Sequence, residues 1–214
     1  MGLYQTKFWF RNKFKNLTKY FIWLNPDILS YSAIGVALFT GVCIYYSAYN
    51  AQLLLFSFAF IILRMVLNTL DGMIAIAQRK KTAIGEIVNA LPDRYADIFT
   101  MLGVAFCPLT NKILGMIAVI SILLVSYTGM LGKAVGVSWQ HQGPAGKVDR
   151  LFALLIAIIL QYYFLIKGFN SIKIFNLKMS VFDWLSLWFI FGSQITILNR
   201  LKGMIKEIKE KESA

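Results

Sequence analysis

The sequence predicts an all-α polytopic membrane protein, with six transmembrane helices preceded by an N-terminal amphipathic interfacial helix. Three observations carry this. Hydrophobic residues make up 58% of 214 positions against 15% charged, and mean hydropathy is +0.63, so a soluble domain could not cover its surface. The apolar residues fall into segments of bilayer length, about 20 residues each. Basic residues gather at the ends of those segments rather than along one soluble face, so the net charge of +12 points to lipid headgroups and phosphates and not to nucleic acid.

The chain opens with MGLYQTKFWFRNKFKNLTKYF, basic and studded with aromatics, which predicts a helix lying on the membrane surface over residues 1–22 and not a cleavable signal peptide. The six spans are expected near 29–49, 52–77, 84–106, 112–132, 148–167 and 179–199, as one membrane domain over 29–199. The charged segment 200–214 reads as a solvated helical tail with no chemistry of its own. Cys43 and Cys107 both lie in apolar stretches and read as buried thiols, with no disulfide framework.

Orientation follows from the basic residues in the connections. One side collects Lys7, Arg11, Lys13, Lys15 and Lys19, then Arg79, Lys80 and Lys81, then Lys133, Lys147 and Arg150, and finally Arg200, Lys202, Lys206, Lys209 and Lys211. The other side has Lys112, Lys167, Lys173 and Lys178. Both termini are therefore expected in the cytoplasm.

Between Leu67 and Asp97 the spans carry polar residues that a bilayer should exclude. An ionised side chain inside a span costs at least about 3 kcal/mol, so it is functional or paired by default. In the second span Arg64, Asn68, Asp71 and Ala75 share one helical face; in the third, Gly85, Asn89, Asp93 and Asp97 step by four along another. The connection QRKKTA is short, which predicts that the two helices are antiparallel neighbours whose polar faces converge. Gly72 and Gly85 let a ligand or a helix approach the backbone closely. Oxygen donors without His or Cys suit a hard cation, Mg²⁺ or Mn²⁺, held by Asn68, Asp71, Asn89, Asp93 and Asp97. Arg64, Arg79 and Lys80 are placed to hold phosphates. Interhelical hydrogen bonding would account for Asn68 and Asn89 alone, but not for three aspartates in step with two glycines.

These residues resemble the CDP-alcohol phosphotransferases, whose motif reads D-x-x-D-G-x-x-A-R, about eight residues, then G-x-x-x-D-x-x-x-D. Here the frame is Asn68, Asp71, Gly72, Ala75, Ile76, an eight-residue gap, then Gly85, Asn89 and Asp93, with spacing intact. The start of the first span, NPDILS with Pro26, Asp27 and Ser30, looks like the family's P-N-x-x-T. The segment GPAGKVDR is similar to one in a bacterial subgroup that also has Asn at the first and third motif aspartates. Two of four carboxylates are thus neutral, and the motif arginine is Ile76.

The resemblance implies a phosphatidyl transfer from CDP-diacylglycerol to a small alcohol, with release of CMP. It implies cations held by Asp71 and Asp93 with Asn68 and Asn89 as neutral partners, joined by Asp97, and Asp93 as general base. Gly72, Ala75 and Gly85 would make room for the nucleotide, and Arg79 would take over the missing arginine's contact. Lys133, Lys147 and Arg150 either grip a phosphorylated acceptor such as glycerol 3-phosphate or serve as positive-inside anchors. The resemblance further implies a homodimer in a bacterial inner membrane, with its site toward the cytoplasm. His141 reads as a solvated loop residue and Trp139 as an interface anchor. A non-catalytic lipid- or nucleotide-binding relative is the alternative that the asparagines favour. A transporter would repeat the charges in spans four to six, where no counterpart stands.

Overall fold

A computed structural model describes residues 20–78, 83–138, 140, 143–174 and 177–213. Among them are six helices of 20 residues or more: α1 (Pro26–Tyr46), α2 (Leu53–Ala77), α3 (Ala83–Phe106), α4 (Lys112–Ala134), α5 (Lys147–Ile166) and α6 (Val181–Glu212). A two-stranded antiparallel hairpin, β1 (Ile172–Ile174) and β2 (Leu177–Met179), joins α5 to α6, with Lys173 opposite Lys178. The expected interfacial helix lies outside the described residues except at its last positions.

The helix boundaries have local causes. Asn25 caps α1 by accepting from the Asp27 N–H at 3.0 Å, and Pro26 takes the first helical position, where a missing N–H costs nothing. Asn111 caps α4. Ser180 and Asp183 form a reciprocal capping box on α6, and the other Asp183 oxygen accepts from the Asn111 N–H at 2.7 Å, tying two loops together.

Five of the helices are long and apolar enough to cross a membrane: α1, α2, α4, α5 and α6. α3 is as long as they are, but carries Asp93, Arg94 and Asp97 through its middle. At 32 residues α6 extends about 48 Å at 1.5 Å per residue, well beyond a hydrocarbon core of about 30 Å. The charged segment after Arg200 is helical and largely exposed, continuing α6 without a break to Glu212.

The helices pack as a closed ring in the order α1, α3, α4, α6, α5, α2 and back to α1. This corrects one expectation. The consecutive helices α2 and α3 do not lie against each other; each packs along α1 instead. The reason is steric. α1 and α3 cross backbone to backbone at Gly41 and Gly103, where a Cβ on Gly103 would collide with the Gly41 carbonyl oxygen. Small residues allow such close approach, and between helices in lipid close packing replaces the hydrophobic drive. The polar faces of α2 and α3 therefore meet through side chains, at one end of the ring.

The hairpin lies between the spans expected near 148–167 and 179–199, where the sequence carries no strand signal. Strands of three residues offer too few alternations for a period of two to register.

Candidate active site

Ser30 on α1, Asp71 on α2, Asp93 on α3 and Lys147 on α5 are brought to one region. Asp71 is 3% exposed; its Oδ2 accepts from the Ser30 hydroxyl at 2.7 Å and its Oδ1 from the Gly72 N–H at 2.5 Å. It also lies within the electrostatic reach of Asp93 and Lys147. Asp93 is half-buried, and its Oδ2 accepts from Lys147 Nζ at 2.5 Å. Next to Asp71, a Cβ built on Gly72 would meet nothing within 4 Å, so the backbone there borders open space. Asn68 sits one turn before Gly72, half-buried, with one amide terminus buried and without a hydrogen-bond partner among the described residues. Ala75 is half-buried on the same helix, as is Gly85 at the start of α3. Asn89 lies in α3 with its side chain outside the described set, and Arg79 and Lys80 lie outside it as well.

Asp97 is placed differently. It is 7% exposed, and both of its oxygens are taken: Oδ1 by Arg64 Nη2 at 2.6 Å and Oδ2 by Arg150 Nη2 at 2.6 Å, with Arg94 at 3.7 Å. Arg64 is 1% exposed and reaches across to the Asp93 carbonyl oxygen as well, at 3.4 Å. Asp97 is thus engaged by guanidinium groups, one turn deeper than Asp93, and Arg64 is enclosed in the bundle rather than presented to a phosphate. The group lines a cavity of about 20 Å³ with Thr100, Ile122 and Phe189, room for about one water.

More arginines surround this centre than sequence spacing revealed. Arg94 donates to the Ser126 hydroxyl at 2.9 Å, and Arg200 donates to the Val125 carbonyl oxygen at 2.5 Å. Three guanidinium groups, those of Arg64, Arg94 and Arg150, therefore gather about Asp97, and Arg200 lies near Arg94 and Arg150. The contacts of Arg94 to Ser126 and of Arg200 to Val125 carried no pattern in the sequence, because these partners lie on α4 and come together only in the ring.

The segment before α5 is fixed from two sides. Gly143 has φ of +113°, and a Cβ there would lie 2.6 Å from the Thr196 side chain, so only glycine fits. Two residues on, the Ala145 N–H donates to Thr196 Oγ1 at 2.9 Å, and the Ala145 carbonyl accepts from Arg150 Nη1 at 3.0 Å. These contacts set the first turn of α5, and with it Lys147 and Arg150. Lys133, at the end of α4, is exposed.

Beyond the span, Glu207 holds the loop after α4. Its Oε1 accepts from the Ser138 N–H at 2.9 Å and its Oε2 from the Ser138 hydroxyl at 2.5 Å, while Lys211 donates to the Gly136 carbonyl at 2.7 Å. The Ser138 hydroxyl and N–H hold the Glu207 carboxyl below its ordinary range.

The donor set fits a hard divalent cation. Its atoms are oxygens, Asn68 has an unsatisfied amide end, and a half-turn of that amide presents its carbonyl oxygen. Among the described residues no three His, Cys, Asp or Glu side chains converge, and the described carboxylates in this region not already taken by arginines are Asp71 and Asp93.

No family model matches the chain. In sequence it is 28% identical over 213 residues to the inner membrane protein YnbA of Escherichia coli, covering 96% of this chain and 97% of that protein. It is 24% identical over 153 residues to the archaetidylinositol phosphate synthase of Methanothermobacter thermautotrophicus, covering 71% and 78%. In structure it is similar to the phosphatidylinositol phosphate synthase of Mycobacterium tuberculosis with CDP-DAG bound, with a TM-score of 0.64 at 16% identity over 94% of each chain. The same synthase in complex with manganese and citrate gives a TM-score of 0.65 at 16% identity, covering 91% of this chain and 87% of that one. The fold is that of the CDP-alcohol phosphatidyltransferases, the family that the frame from Asn68 to Asp93 resembles.

Proposed function

We propose that the protein transfers a phosphatidyl group from CDP-diacylglycerol to a small alcohol and releases CMP. The observation that carries this is Asp71 and Asp93, at the family's spacing and within electrostatic reach of one another, with open space beside the Gly72 backbone. The relatives support it: one is a named phosphoinositol-type synthase, and a fold neighbour was captured with CDP-DAG.

In this reading Asp71, Asp93, Asn68 and Asn89 hold Mg²⁺ or Mn²⁺; a neighbour's complex with manganese supports such a metal. The bound cation would offset charge on the diphosphate and on the departing CMP. Gly72, Ala75 and Gly85 leave room for the nucleotide. Asp93 takes the acceptor's hydroxyl proton on Oδ1, which accepts no hydrogen bond from the described residues. The acceptor oxygen then bonds to the lipid-side phosphorus as the bond to CMP breaks.

A phosphorylated polyol such as glycerol 3-phosphate is the favoured acceptor. Arg64, Arg94 and Arg150 share the single carboxylate of Asp97, and an anionic acceptor suits that basic setting. Lys133 is the residue assigned to its phosphate; Arg150, engaged by the Ala145 carbonyl and Asp97, is assigned to holding the start of α5. Arg64 and Asp97 are assigned to the support of Arg150 and not to substrate or metal.

We further propose that α3 crosses the membrane as a sixth span, shielding its charges inside the ring, and that the site and both termini face the cytoplasm of a bacterial inner membrane. The basic residues at the site end support that orientation. A homodimer is the proposed assembly.

The test is CMP release from CDP-diacylglycerol and Mg²⁺ across a panel of alcohols. Release that depends on one acceptor supports the reading. Silence with every acceptor, where a known family member turns over, overturns it in favour of a non-catalytic binding protein.

A further inference from the structure

One of the two site carboxylates is already paired. Lys147 Nζ lies 2.5 Å from Asp93 Oδ2 and within electrostatic reach of Asp71. The lysine is delivered there by a built support. It is the first residue of α5; the preceding segment is held to α6 through Gly143 and Ala145 at Thr196, and Arg150, one turn on, is held by Asp97.

The charges are matched to one divalent ion. Asp71 and Asp93 neutralise a single dication, and the asparagines contribute oxygen but no charge. A second dication would bring two further positive charges to a half-buried site, where the diphosphate of a bound substrate is the charge left to balance them and Lys147 already answers part of it. The ammonium brings one. The motif arginine, moreover, is absent: position 76 is Ile76, exposed on α2.

We propose that Lys147 is a tethered cation that does the work of a second metal ion, so that this protein operates with one divalent cation and one lysine. The ammonium's three donors bridge Asp93 to a diphosphate oxygen, a contact for which a metal would need another ligand set. This rests on the cation-dependent reading above.

The test counts metal ions rather than turnover. Full-length protein in detergent is equilibrated with Mn²⁺ and with CDP as a soluble diphosphate probe, and free Mn²⁺ is read by electron paramagnetic resonance. Wild type is expected to hold one Mn²⁺ per chain, Lys147→Arg one, and Lys147→Gln two. Two ions on wild type overturn the proposal, and do so even where the glutamine variant fails to fold. A glutamine variant that stays at one ion, whether bound as before or more tightly, overturns it also. Wild type that holds no Mn²⁺ with CDP present refutes the cation reading itself, which separates the two failures.

Discussion

Arg64 Nη2 and Asp97 Oδ1 lie 2.6 Å apart although 33 residues separate them in the chain, and both are enclosed within the ring. Asp97 takes Arg150 on its other oxygen, so one carboxylate organises two guanidinium groups from two helices. Breaking such a pair leaves an uncompensated buried charge. Asp97→Ala is expected to lower stability by about 3–5 kcal/mol, seen as a fall in the thermal midpoint in detergent. Asp97→Asn, which keeps the shape and can still accept hydrogen bonds, is expected to cost less. Equal midpoints for the two variants would contradict the role given to the charge.

Asp93→Asn is expected to reduce CMP release by roughly 100-fold or more, the range for loss of a general base. Thermal stability should stay near wild type, since Asp93 is half-buried. An active Asp93→Asn enzyme would remove the base assignment.

Asn68→Asp with Asn89→Asp restores two carboxylates to the motif. The double variant is expected to raise Mn²⁺ affinity and to increase CMP release if charge limits turnover. Unchanged affinity would show that these positions lie away from the cation.

The α1–α3 crossing predicts an asymmetry between glycines. Gly103→Ala forces a Cβ against the Gly41 backbone and is expected to destabilise by several kcal/mol, beyond the usual 1–3 kcal/mol of overpacking, because backbone cannot move aside. Gly35→Ala, on the same helix as Gly41 but with open space beside it, is expected to be neutral or to stabilise by up to about 1 kcal/mol. Thermal midpoints of the two decide it.

The Glu207 contact carries a pH signature. A carboxyl whose folded pKa is lowered contributes stability that is fully present above the unfolded value, about 4.3, and is lost as pH falls through the lower folded value. Protection of the Ser138 amide, its exchange rate relative to the intrinsic rate at each pH, is therefore expected to hold from neutral pH down to the ordinary glutamate range and to fall below it. Glu207→Gln should show weaker protection throughout, with no such fall.

Much of the site was legible in the sequence, for a physical reason. Helical periodicity places Asn68, Asp71 and Ala75 together, and Gly85, Asn89 and Asp93 together, whatever surrounds them. Bilayer thickness fixes span lengths, and five helices of the required length and apolarity stand where segments were expected. Periodicity also grouped Asp97 with Asp93, since both share a face. It could not show that the deeper one meets arginines, because a guanidinium from another helix leaves no trace in the spacing of α3.

What the sequence determined by itself is local or one-dimensional: the length of each span, the face each polar residue occupies, and the frame that resembles a lipid-synthesising family. What only the tertiary structure decided is who meets whom. Gly41 and Gly103 bring α1 between α2 and α3, the Thr196 contact aims Lys147 at Asp93, and Asp97 is given to Arg64 and Arg150. Such pairings depend on helix order and close backbone approach, which arise from the whole ring and are not encoded in any one segment.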